Sequence, residues 1–287
     1  FLYFNNECMK TQSCMNRLLW ITLLVIGLSG CSEESSSSEE NTESGTIQDG
    51  DHTDNATVIQ LNPSEQYQTV EGMGGGVANY EGWYCQHPNK KELFDLIFKD
   101  LEISMIRIGN WYEKKISGEN PDILKQQKEI MDAATQRLGR SNFSVMMSNW
   151  LVAPDLIDSP KEKGATLKRN NEGKYMYKEF GEWCRMTLKA YQEADMSPDY
   201  LSMMNEPDGD NSAGTKIRLG YGIDDSQKAN YGKALEATYE AFKEVSDRPK
   251  LIGPEVLGIG YGTFSNYYRD LNPDLLDAAA FHCYHGG

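Results

Sequence analysis

Six short strand-like runs alternate with stretches of helical periodicity and limit what this chain can fold into. The runs cover residues 68–73, 104–108, 143–147, 201–204, 250–253 and 278–283. Helical spacing fills residues 89–101, 122–138, 178–194, 226–245 and, more briefly, 264–269. The third of these is the plainest, with Phe180, Trp183, Cys184, Thr187, Leu188 and Tyr191 on one face of a 3.6-residue turn. Asn89 stands where a helix cap is expected, and 79–89 before it reads as loop. Strands alternating with helices build parallel βαβ units. The expected fold class is therefore α/β, a (β/α)8 TIM barrel. An eight-stranded barrel takes about 250 residues. Here roughly 220 residues supply six strands, so the chain reads as about six of eight βα units with the last two absent. A run at 58–61 lies outside that count and is expected to pair elsewhere.

In a parallel barrel the carboxyl ends of the strands ring one mouth, where residues distant in sequence converge. Arg107, Asn110 and Trp111 lie at the carboxyl end of the second run, and Asn149 and Trp150 at that of the third. Asn205 and Glu206 lie at the end of the fourth, Glu255 at that of the fifth, and His282 and Tyr284 at that of the sixth. The fourth end is the sharpest. Leu201-Ser202-Met203-Met204 stops at Asn205-Glu206-Pro207, and Pro207, lacking an N–H, cannot continue a ladder. A carboxyl group at that point, beside an amide, suits general acid/base work on a sugar. Trp83, Trp111 and Trp150 fall in or beside strand-to-helix loops, and flat rings there suit stacking on the apolar face of a pyranose. Each residue also has a plainer explanation. Glu206 could open a turn, Arg107 could pair with a core carboxylate, and tryptophans often seal a barrel.

Composition narrows the partners. About half of the net charge of −15 comes from residues 31–57, which carry eight carboxylates and no Lys or Arg. The remaining body is also acidic, which argues against nucleic acid, because phosphate backbones need a basic face. Gly72-Met73-Gly74-Gly75-Gly76 invites a nucleotide-loop reading, but no helix is expected to open at once after it. His282 and His285 have no evident third ligand for a metal, and no Gly-x-Ser-x-Gly elbow is present.

The N-terminus reads as an address. Arg17 precedes the apolar run 18–27, which is too short to span a bilayer and has the length of a signal core. It ends in Leu28-Ser29-Gly30-Cys31, which resembles a bacterial lipobox; residues 1–31 are then a lipoprotein signal region with Cys31 lipidated. Residues 1–8 precede the first Met and are expected to carry no structural role. Residues 32–56, rich in Ser, Glu and Asp, are expected to form a disordered tether. Residues 57–287 form the barrel domain. Its three cysteines, Cys85, Cys184 and Cys283, make an odd count without a Cys-x-x-Cys pair, and are expected to be buried or half-buried thiols.

The ordered set Gln68-Thr69-Val70-Glu71-Gly72-Met73-Gly74-Gly75, Met105-Ile106-Arg107-Ile108-Gly109, Ser148-Asn149-Trp150, Met204-Asn205-Glu206-Pro207-Asp208, Gly253-Pro254-Glu255 and His282-Cys283-Tyr284 resembles glycoside hydrolase family 30, of the clan A retaining glycosidases. The resemblance spans about residues 56–287. Met73 stands where that family usually has Phe, and the loop Trp150-Leu151-Val152-Ala153-Pro154-Asp155 departs from its usual Ser-Pro-Pro-x-Trp-Met run. The resemblance implies a retaining β-glycosidase acting on a β-linked polysaccharide such as xylan, β-1,6-glucan or β-1,6-galactan, with no metal or organic cofactor. It implies Glu206 as general acid/base, Asn205 on the sugar 2-hydroxyl, Arg107 and Tyr284 orienting the nucleophile, and Trp150 lining the site. His282 and Trp111 join them as substrate-binding candidates. It also implies a side β-structure to which 58–61 supplies a strand. The family carries its nucleophile after a seventh strand, which this chain does not reach. Glu255, one strand from Glu206, lies elsewhere than the family's position. The alternative is a surface lipoprotein that binds glycan without cleaving it. In either case the expected location is the bacterial outer membrane, periplasmic or surface-exposed, with the lipid as the only membrane contact.

Overall fold

The structure, a computed structural model, describes residues 4–5, 62, 64–65, 69–159, 164–209, 217–222, 227–260 and 263–284. Cys31, the tether and the run at 58–61 lie outside the described residues. Six parallel strands curl into a half-barrel in strict sequence order: β1 (Gly74–Gly76), β2 (Met105–Asn110), β3 (Ser144–Asn149), β4 (Tyr200–Ser202), β5 (Lys250–Val256) and β6 (Ala278–Phe281). This is the expected α/β class, a partial (β/α)8 barrel. The first strand is shifted from the expected 68–73 to Gly74–Gly76. There Gly74 lies opposite Met105 so closely that a Cβ would collide with the Met105 carbonyl, and only glycine fits. Phe4–Asn5 pair antiparallel with Asn5 opposite Ala278 and Phe4 opposite Ala279, which corrects the expectation that residues 1–8 have no structural role. A strand edge presents unpaired N–H and C=O groups, and any extended segment can satisfy them.

Alternation along the strands separates two faces. Ile106, Ile108, Val145, Met147, Leu201, Leu251, Ala279 and Phe281 belong to the main core, which includes the helices. The residues between them, Met105, Met146, Tyr200, Ile252, Ala278 and Ala280, form a separate cluster on the other face. Two residues further along that inner face the character changes. Arg107 follows Met105, Ser148 follows Met146, Ser202 follows Tyr200 and His282 follows Ala280, all of them buried. A polar layer therefore sits on an apolar one, towards the carboxyl ends of the strands.

The helices are α1 (Glu81–Gln86), α2 (Lys90–Asp95), α3 (Tyr112–Ile116), α4 (Ile123–Leu138), α5 (Tyr177–Glu193), α6 (Tyr231–Phe242) and α7 (Thr263–Asp270). α1 occupies a segment expected to be loop. Asn89 makes no side-chain cap, and α2 runs on into a π-helical turn, Leu96–Asp100. α6 starts five residues later than its spacing suggested, where Asn230 accepts a hydrogen bond from the Lys233 N–H at 2.9 Å and caps it. No helix among the described residues is long and apolar enough to cross a membrane. Cys184 is buried and Cys85 half-buried as expected, but Cys283 is exposed, since the chain has left the sheet beyond Phe281.

α5 buries the expected face together with Gly181, which meets the backbone of α6. A Cβ there would lie 2.7 Å from the Ala237 carbonyl carbon. Gly181→Val should therefore destabilise the fold by about 1–3 kcal/mol despite valine's better helix propensity. Urea denaturation checks this, and an unchanged midpoint would mean that the two helices pack with slack at this crossing.

Candidate active site

The chain leaves β4 through Met203 and Met204, both buried, and is then lashed to its neighbours by backbone hydrogen bonds. The Asn205 N–H donates to the Asn149 carbonyl at the end of β3 (2.8 Å), and the Glu206 N–H donates to the Glu255 carbonyl in β5 (3.0 Å). Asp208 Oδ1 accepts from the Leu257 N–H at 3.0 Å, and burial pushes its carboxyl above the ordinary range. Glu206 and Glu255 both have positive φ, 49° and 51°, in the left-handed region that disfavours side chains. Such strain costs about 1–3 kcal/mol per residue and gathers at functional sites. At Glu255 it coincides with a register shift between Pro254 and Val256, which turns its side chain into the polar layer.

Side chains close the arrangement. Arg107 Nη2 donates to Asn205 Oδ1 (2.5 Å) and to Glu255 Oε1 (2.6 Å), while its Nε donates to Ser148 Oγ (3.1 Å). Ser148 Oγ in turn donates to Glu255 Oε1 at 2.9 Å. His282 lies between the two glutamates, with Nδ1 2.7 Å from Glu206 Oε1 and Nε2 3.3 Å from Glu255 Oε1. Burial alone would raise the Glu255 carboxyl, but Arg107, His282 and Ser202 outweigh it and hold the pKa at about 2. Burial alone would lower His282, but its bonds to Glu206 and Glu255 outweigh that and raise it. The site thus surrounds the Glu255 carboxylate with the Arg107 guanidinium and the His282 ring and leaves Glu206 at the edge of the network.

Aromatic residues roof the cationic side. The Arg107 guanidinium carbon lies 4.1 Å from the Trp150 ring centroid, and Trp150 packs on Trp111 with centroids 5.3 Å apart. Trp111 is wholly buried, and its Nε1 donates to Glu81 Oε1 at 2.7 Å. The Tyr284 ring stands edge-on to His282, with centroids 5.3 Å apart, and is 57% exposed. Trp83 is exposed and pairs edge-on with Tyr80.

The structure thus brings Glu206, Asn205, Arg107, His282, Trp150, Trp111 and Tyr284 into one connected cluster, with Trp111 beneath it. Cys31 lies outside the described residues. Sequence reasoning passed over Ser148 and Ser202 as site residues, and gave Glu255 no part beside Arg107. The available signal was alternation: Ser148 and Ser202 stand two residues beyond Met146 and Tyr200 on the inner face.

A partial barrel with a buried carboxylate cluster at its strand ends defines the class of this molecule. No protein-family model matches the sequence, and no curated protein does. Among solved structures the chain is similar to the catalytic domain of the family 30 glycoside hydrolase xylanase C from Talaromyces cellulolyticus, at 12% identity and TM-score 0.53, covering 73% of this chain and 51% of that one. It is similar to a family 30 subfamily 8 xylanase from Clostridium acetobutylicum, at 15% identity and TM-score 0.53, covering 79% and 53%. The endo-β-1,6-glucanase BT3312 matches at 15% identity and TM-score 0.56, covering 79% and 54%. The chain spans about half the length of these structures, and at such identities the likeness establishes the fold alone, a partial (β/α)8 barrel.

Proposed function

We propose that this chain carries the acid/base half of a retaining β-glycosidase acting on a β-linked polysaccharide such as xylan, β-1,6-glucan or β-1,6-galactan. The observation that carries the reading is Glu206 itself. It is a buried carboxyl at the carboxyl end of β4, held at positive φ and 2.7 Å from His282 inside a glycosidase-like barrel. Glu206 would protonate the departing glycosidic oxygen, then deprotonate the water that releases the sugar. Asn205, its Oδ1 held by Arg107, is assigned to the sugar 2-hydroxyl.

Retention needs a second carboxylate about 5 Å from the first. Glu255 is wholly buried, and its Oε1 is already held by Arg107, Ser148 and His282. The proposal therefore assigns the nucleophile to a carboxylate other than Glu255. A lipid on Cys31 would hold the domain at the bacterial outer membrane, within reach of extracellular glycan.

In a protein that holds both carboxylates, Glu206→Gln should cut reducing-end release from these polysaccharides by about a hundredfold or more, with glycan binding spared. Undiminished turnover in the variant rejects the assignment. The burial of Glu255 also favours a second reading, a surface glycan-binding protein without turnover. That reading predicts equal binding and no hydrolysis in both the unsubstituted protein and the variant.

A further inference from the structure

We infer that Glu255 is a positioning residue acting through His282: it keeps both imidazole nitrogens as N–H donors, so that Glu206 Oε1 only accepts and any proton on Glu206 is confined to Oε2. The inference rests on the reading of Glu206 as the acid/base and goes beyond it, because it concerns which oxygen carries the proton.

The geometry sets the requirement. One imidazole ring faces two carboxylate oxygens, 2.7 Å from Nδ1 and 3.3 Å from Nε2. A neutral ring has a single N–H and must turn a lone pair towards one of them, whereas an imidazolium satisfies both. Glu255 is fixed as an acceptor, since Arg107 Nη2 and Ser148 Oγ both donate to the oxygen that faces His282. Nε2 therefore carries a hydrogen, and the open question is Nδ1. With the ring neutral, the short contact to Glu206 would need Oε1–H pointing into the imidazole, away from any leaving group. With the ring charged, Oε1 accepts. Oε1 is the Glu206 carboxylate oxygen that is hydrogen-bonded among the described residues.

The charged and titratable groups around His282 come from several elements. Glu206 and Asp208 face it from the loop after β4, Glu255 from β5, Arg107 from β2, and Tyr284 edge-on from beyond β6. Arg107 opposes the cation directly, yet it also holds Glu255 ionised. The carboxylates prevail, and His282 is raised despite its burial. Glu255 thus reaches Glu206 without touching substrate.

The test is 15N NMR of the histidine side chains in the 287-residue chain, with the His282 signals, among four histidines, identified by their loss in His282→Gln. The expected result is that both ring nitrogens are protonated at pH 6.5, with a midpoint above that ordinary histidine value. In Glu255→Gln the midpoint should fall by about one unit, a tenfold change in proton affinity. A neutral His282 ring at pH 6.5 in the unsubstituted chain overturns the inference, and that measurement decides alone where the variant does not fold. An unmoved midpoint in a folded Glu255→Gln also overturns it, because a merely structural Glu255 would leave the titration where it was. No substrate enters the experiment. Hydrolysis by a protein that holds both carboxylates, with a neutral His282 ring, sinks this inference alone, and a charged ring with no hydrolysis by that protein sinks only the proposed activity.

Discussion

Replacing Arg107 with leucine is expected to lower the folding free energy by about 3–5 kcal/mol, measured by urea denaturation near neutral pH. The guanidinium is the principal counter-ion of a carboxylate that has no solvent exposure. Leucine approximates the volume of the side-chain stem but strands the Glu255 charge, with the His282 ring as its remaining basic neighbour. The pH dependence separates this cause from simple loss of packing. In the unsubstituted chain the Glu255 pKa is depressed from 4.5 to about 2, so the folded state binds fewer protons than the unfolded one. That contribution, worth roughly 3 kcal/mol, is fully present above the unfolded pKa and is lost as pH falls through the folded one. In Arg107→Leu the largest offset to burial is lost while His282 and Ser202 remain, so the folded pKa rises. The deficit should therefore be full only above that raised folded pKa and should narrow as the pH falls through it and on through the ordinary carboxylate range. Adding Glu255→Gln removes the stranded charge and should restore part of the loss. A deficit constant from about pH 3 to pH 7 would mean that Arg107 acts by packing under Trp150 and not by charge.

The strands after β1 were legible because each is a short apolar run with a hard polar stop, and the observed ends differ from those runs by only a few residues. β1 was misplaced because its best-looking residues, Thr69, Val70 and Met73, are not the ones that pair. The pairing is made by glycines whose lack of a side chain lets the strand lie against Met105, a reason that no propensity records. At the site, the convergence of Arg107, Glu206 and His282 was legible from the barrel rule alone, since the carboxyl ends of parallel strands share a mouth. Who holds whom was not. Arg107 and Glu255 are 148 residues apart, and their ion pair depends on a register shift in β5 that brings Glu255 to the inner face.

Trp150 shows how a residue found in the right place can have a second use. Stacking on a sugar would need an open ring face. In the structure Trp150 is 6% exposed, with Trp111 packed against it and the Arg107 guanidinium over its ring. The two uses predict different behaviour in the absence of glycan. A ring that only waits for substrate can be truncated at little cost, whereas Trp150→Ala in this packing should lose about 3–5 kcal/mol. Trp150→Phe, which keeps an aromatic face for the guanidinium, should lose less. The effect should also fail to add to that of Arg107→Leu. Removing the roof frees the guanidinium that pairs with Glu255, so the double variant should fall short of the summed losses by about 0.5 kcal/mol or more. Full additivity would mean that Trp150 and Arg107 stabilise the barrel separately. The ring would then be surplus to the grip on Glu255 and better explained as part of a glycan-binding face.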